Sequence, residues 1–369
     1  MSETDSSPAA AAAAQGRKPR RLRGHKKGAV TCCVASSSRP GVVASSGEDG
    51  CLCWFDLRTK DVLFTMEATN KPISSMCFKA GNEDLLYASA ENEILSFDVR
   101  LGPQAKSLDT YNYNRDEINQ IAVSSKGYLA AADDSGDVKI INTIQKCLYK
   151  RLREAHTTVY NSFLGDLGQF HLTAITGGLD SKLAVWDFSK GRTLFSIDYG
   201  SPEMQNGSSG GQCFNPPFVH SIAVSEEGIL GGSYKVCAVA RGDGAVDVVD
   251  LEYELAPAKS KGLPRMADLS LSSKITDIGD GCGSQSQRKR IHLDYTVGAF
   301  GEKGKFLVSG GNDSSVKLWD WSKGFSSEAN SSAELVLDIK VNWLCTTPTD
   351  SDNLIVCDTS KVVKVYNLP

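Results

Sequence analysis

Three of the five histidines in this 369-residue chain, His25, His156 and His292, stand at one position of a repeating pattern, each just ahead of a segment that reads as a strand. Thr176 and Asp180 follow His156, and Ser309 and Asp313 follow His292. A His, a hydroxyl and a carboxylate are the parts of a nucleophile, its base and the group that orients the base. The repetition argues against that chemistry, because an enzyme needs one site whereas a scaffold needs one staple per repeat. There is no phosphate loop, metal signature or nucleophile elbow. GxG stretches such as Gly242-Asp243-Gly244 lie inside hairpin turns rather than ahead of a helix. The 11 cysteines are dispersed, with no CxxC pair and no Cys/His cluster at zinc spacing, and read as buried reduced thiols. The expectation is no catalytic residue, no metal and no cofactor.

A second constellation is cationic. Phe55-Asp56-Leu57-Arg58 and Phe97-Asp98-Val99-Arg100 are one word written twice: aromatic, Asp, apolar, Arg. Equivalent stretches continue otherwise, as Asp187-Phe188-Ser189, Asp250-Leu251-Glu252 and Asp320-Trp321-Ser322. On neighbouring repeats the two arginines would project near each other on one rim. A guanidinium fork makes bidentate bonds and stacks, which suits docking of a protein partner. The bland alternative is a surface Arg held by its own Asp.

What must position these residues is a repeated hairpin. Gly310–Asp320 combines a polar turn at Asp313-Ser314-Ser315 with alternating apolar residues, a hairpin signal. A lone hairpin is marginal in water. The frame apolar-x-apolar-(aromatic or apolar)-(Asp or Asn) recurs at seven places, as LCWFD, ILSFD, VKIIN, LAVWD, VDVVD, VKLWD and VKVYN. The fourth letters, Phe55, Phe97, Ile141, Trp186, Val249, Trp319 and Tyr366, are separated by 42, 44, 45, 63, 70 and 47 residues. Four of these intervals fall near the roughly 40–45 residues of a four-stranded propeller blade. The long intervals carry polar insertions expected near 200–217 and 256–290, read as surface excursions.

Length alone would divide the chain into about two domains. Blades bury their faces only against neighbouring blades, so one ring over 17–369 is the better count. The pattern predicts an all-β, seven-bladed propeller. Because the chain ends at Pro369, straight after a third strand, residues 19–24 are placed to close the ring from the other terminus. Residues 1–16, with an alanine run, read as a disordered tail. Arg17–Arg23 also has the composition of a nuclear-import signal. A formal charge of -4 gives no support to direct nucleic-acid binding. No apolar run approaches a membrane span of about 18 residues, and the start has no hydrophobic signal core. Cytoplasm and/or nucleus is the expected residence.

With Trp186-Asp187 and Trp319-Asp320 closing two of the frames, the chain resembles the WD-repeat family. The resemblance implies hydrogen-bonded tetrads of His156, Thr176, Asp180 and Trp186, and of His292, Ser309, Asp313 and Trp319. The two FDxR boxes resemble the WD-x-Arg box of the WD-repeat substrate receptors of cullin-4 RING ubiquitin ligases. That implies a non-enzymatic adaptor docking through Asp56, Arg58, Asp98 and Arg100 on damaged-DNA-binding protein 1, with a client protein on another face. Phe replaces Trp in both boxes and keeps an aromatic anchor. The alternative is a general scaffold or chromatin-associated propeller without a ligase role.

Overall fold

The computed structural model describes residues 18–59, 61–153, 155–157, 159–167, 170–201, 215–224, 236–255, 296–300, 306–320, 331–337, 340–347 and 353–367. The expected tail 1–16, His292 and most of the insertions near 200–217 and 256–290 lie outside these residues. In chain order, β1 is Arg20–Arg23. Strands β2–β5 are Val30–Ala35, Val42–Gly47, Cys51–Asp56 and Asp61–Glu67; β6–β9 are Ile73–Lys79, Asn82–Ala90, Glu93–Asp98 and Asp109–Tyr111. Strands β10–β13 are Ile118–Val123, Tyr128–Asp133, Val138–Asn142 and Cys147–Leu152; β14–β17 are Val159–Leu167, Phe170–Gly178, Lys182–Asp187 and Arg192–Asp198. Strands β18–β20 are Val219–Val224, Val236–Arg241 and Val246–Asp250, followed by a short helix α1, Leu251–Leu255. Strands β21–β24 are Thr296–Phe300, Phe306–Gly311, Ser315–Asp320 and Ser331–Val336; β25–β27 are Val341–Thr346, Asn353–Asp358 and Val362–Asn367.

The fold is an all-β propeller. Six sheets have four antiparallel strands, and β18-β19-β20 form a sheet of three among the described residues. The last sheet runs β1-β27-β26-β25, with Arg20 opposite Val365 and Arg23 opposite Val362. Leu22, opposite Val363, is fully buried among residues of the first and last sheets. The innermost strands β2, β6, β10, β14, β18, β21 and β25 lie side by side in that order, and β25 lies against β2.

The recurring frame is the third strand of each sheet. Its apolar letters are buried on both faces, as Leu52, Cys53, Trp54 and Phe55 show in β4, because each sheet has a neighbour on either side. The second residue of several innermost strands is polar and reaches the next sheet. Thr31 Oγ1 donates to the Ile73 carbonyl at 2.6 Å, Ser74 Oγ to that of Ile118 at 2.5 Å, and Asn342 Nδ2 to that of Val30 at 3.3 Å. These bonds give buried backbone carbonyls partners across the sheet boundary. The turn between second and third strands needs a left-handed residue. In the third sheet Gly136 has φ +81°, and a Cβ there would lie 1.9 Å from the His156 carbonyl oxygen. That close approach fixes where His156 leads into the fourth sheet.

Candidate functional site

Arg58 and Arg100 stand just past the ends of β4 and β8, in the corners that lead to the outer strands. Asp56 Oδ1 accepts from the Arg58 backbone N–H and from Nε, both at 2.9 Å, while Oδ2 accepts from Nη2 at 2.8 Å. Asp98 repeats the arrangement on Arg100, at 3.0 Å to the backbone N–H, 2.9 Å to Nε and 2.6 Å to Nη2. Asp98 thereby caps the 3-10 helix Val99–Gln104. Hydrogen bonding from the arginines holds both aspartates below the ordinary carboxylate range. The acid is the covered half of each pair and the cation the exposed half. The Arg58 side chain is 73% exposed against 11% for Asp56, and Arg100 67% against 14% for Asp98.

One loop joins the two boxes. A Cβ on Gly41 would meet Arg58 Cγ at 3.6 Å, and the Gly41 carbonyl accepts from Leu57 N–H at 2.7 Å. In the same loop Arg39 pairs with Asp84, whose other carboxylate oxygen lies 3.8 Å from Arg100 Nε. The loop is fastened by Glu83, which accepts from the Ser36 hydroxyl, from Ser37 N–H at 2.7 Å and from Ser38 Oγ at 2.5 Å. Burial would raise the Glu83 carboxyl, but these bonds outweigh it and hold it low. Arg20, in β1, donates to the Leu57 carbonyl at 2.5 Å and to Asn353 at 2.7 Å. Phe55 and Phe97, the aromatic letters of the boxes, are buried in the core beneath.

The histidine sets are a separate feature. His156 Nδ1 donates to Asp180 at 2.8 Å, its Nε2 accepts from the Thr176 hydroxyl at 2.8 Å, and Trp186 Nε1 donates to Thr176 Oγ1 at 3.0 Å. His25 forms a shorter set with Asp49 at 2.9 Å and Ser45 at 2.8 Å, where Phe55 replaces the Trp. Of the other expected set, Ser309 is fully buried and Asp313 Oδ1 accepts from Ser315 N–H at 3.1 Å. Trp319 is paired through its backbone with Leu307, and His292 is outside the described residues.

Three sheets use buried charges instead. In the third, Lys139 Nζ lies 2.5 Å from Asp133 and 3.6 Å from Asp137. In the last, Lys364 Nζ lies 2.5 Å from Asp358. The fifth reverses the polarity: Arg241 donates to Asp247 at 2.6 Å, and its guanidinium sits 5.0 Å from the Tyr199 ring centre. Sequence reasoning missed these pairs; the signal that marks them is a charged second letter in the frames VKIIN, VKVYN and VDVVD with the opposite charge six residues earlier across the turn.

The family model "WD domain, G-beta repeat" matches residues 16–56 and 292–320. Those two segments are similar to WD40 repeats. The chain is also 26% identical over 379 residues to the WD repeat-containing protein 53 homolog of Dictyostelium discoideum, with 94% of each chain covered. The matched segments include His25, Ser45 and Asp49 of the first sheet and Ser309, Asp313 and Trp319 of the sixth.

Proposed function

We propose that this protein is a non-enzymatic WD40 interaction adaptor, a seven-bladed ring closed by β1, that serves as a substrate receptor of a cullin-4 RING ubiquitin ligase. The adaptor of that ligase, damaged-DNA-binding protein 1, docks through Arg58 and Arg100, and a client protein occupies another face. The observation that carries the reading is the doubled box: two exposed guanidinium forks on consecutive sheets, each pre-oriented by its own covered aspartate. Holding the fork in place lowers the ordering cost of binding, and Arg is enriched where interfaces concentrate their energy. The seven successive sheets and the β1–β27 pairing support the closed ring. The repetition of the histidine position supports a structural role for those residues. Residence in cytoplasm or nucleus belongs to the same proposal.

The competing reading is a general or chromatin-associated scaffold in which each Arg only satisfies its Asp. The intramolecular forks on their own fit that reading as well, so the partner decides. Purification of the full chain from cells with identification of what accompanies it is the test. Recovery of the cullin-4 adaptor is expected; its consistent absence would leave the scaffold reading.

A further inference from the structure

Among the described residues, nine large apolar side chains are left exposed, and seven of them lie between Val62 and Tyr149. They gather at one level of three consecutive sheets. Leu63 is near the start of β5, Leu101 is in the 3-10 helix after β8, and Leu108 immediately precedes β9. Ile144 follows β12, and Leu148 is near the start of β13. Leu101, Leu108 and Ile144 lie in corners joining the third strand of a sheet to its outer strand, and Leu63 and Leu148 lie in the first residues of the outer strands themselves; the same corners carry Arg58 in the first sheet and Arg100 in the second. Ile144 stands two residues past Asn142, as Arg58 stands past Asp56 and Arg100 past Asp98. It is the most exposed of the nine, at 73%.

The three corners touch. The 3-10 helix packs on β5, joining the second corner to the first. Lys146, in the third corner, reaches Asp109 of β9 at 2.6 Å, and its carbonyl accepts from Tyr113 at 3.0 Å. Here too the cation is the exposed half: Lys146 is 60% exposed and Asp109 28%. The belt stops at the fourth sheet, whose corner carries Lys190, Arg192 and Thr193. An apolar strip along three neighbouring corners and the outer-strand starts beside them, with exposed cations among them, is unlike the scattered single apolar residues of an ordinary surface.

We infer that the docking rim extends past the two arginine boxes onto the third sheet, with Ile144 as its principal apolar contact. Its occupant is a protein segment carrying apolar side chains flanked by carboxylates, which the outward-facing Arg58, Arg100 and Lys146 complement. The inference rests on the docking reading above and assigns that segment to the ligase adaptor. Its particular content is that an apolar residue outside both boxes governs the affinity.

The test uses the purified full chain and purified damaged-DNA-binding protein 1, with affinity measured for Ile144→Asp, for Arg58→Ala with Arg100→Ala, and for Tyr253→Asp. Tyr253, in α1 after the fifth sheet's third strand, is an exposed apolar control away from the belt. The expected result is a loss of at least about tenfold for Ile144→Asp and an unchanged affinity for Tyr253→Asp. Should Ile144→Asp melt early, Leu148→Asp replaces it. Wild-type affinity in a folded Ile144→Asp variant, alongside a loss in the double arginine variant, overturns this inference and leaves the docking reading standing. Failure of the wild-type chain to bind the adaptor overturns both.

Discussion

His156 uses both ring nitrogens within its own sheet, toward Asp180 and Thr176, and Trp186 closes the set on the same hydroxyl. Removing one member of such a network leaves the others buried without partners, so His156→Ala and Asp180→Ala are each expected to cost about 1–3 kcal/mol. The double variant should cost clearly less than the sum, since both changes break one network. Additive losses in denaturant titrations would show that the four groups do not act together. Asp49 offers a pH test. Burial pushes its carboxyl up, but hydrogen bonds from His25 and the Lys26 and Cys51 N–H groups outweigh this and hold it below 3.8. A carboxyl lowered by folding contributes stability that is fully present above about pH 4 and is lost as pH falls through its folded value. Melting curves from about pH 5 downward should therefore fall more steeply for the wild type than for Asp49→Asn. Parallel curves would contradict the assignment. In the sequence, the resemblance to WD repeats is what grouped His156, Thr176, Asp180 and Trp186, each at a landmark of its repeat. The pairing of Asp133 with Lys139 was not legible. A Lys within a strand reads as solvent-facing until the hairpin brings its carboxylate six residues away against it.

At the scale of the element, the informative strand is β1. Its sequence, RRLR, has three cations and one apolar residue, so no strand pattern is visible in it alone. What pointed to it was the expectation that the open edge of the seventh repeat's third strand is covered by another strand. The same four residues lie within the run read as a nuclear-import signal, and in the fold their backbone is paired with β27. Deleting residues 1–23 removes Leu22 from the core between first and last sheets and bares the edge of β27. The truncated chain should melt several degrees lower and associate through that edge, while deletion of 1–16 alone should change little. A monomeric truncation to 24–369 with an unchanged melting temperature would remove β1 from any role in closing the ring. The bonds from Thr31, Ser74 and Asn342 to the next sheet were not legible, because a hydroxyl or amide in a strand does not announce which neighbour it meets.

For the whole molecule, the proposed docking of a partner on the rim around Arg58 and Arg100 is what separates the adaptor reading from that of a general scaffold. The doubled box could be read from sequence because both Arg residues follow strand ends at identical offsets. Its linkage through Arg39, Asp84 and Gly41 could not, since that loop connects residues far apart in the chain. Exposed forks of this kind add little to folding, so binding and stability should separate. The decisive measurement is the affinity of purified damaged-DNA-binding protein 1 for the full chain and for the Arg58→Ala, Arg100→Ala double variant, with melting temperatures recorded on the same samples. The account predicts a loss of about thirtyfold or more at nearly constant melting temperature. Undiminished affinity in the double variant would remove the arginines as the docking site, and affinity lost only together with the fold would make them structural.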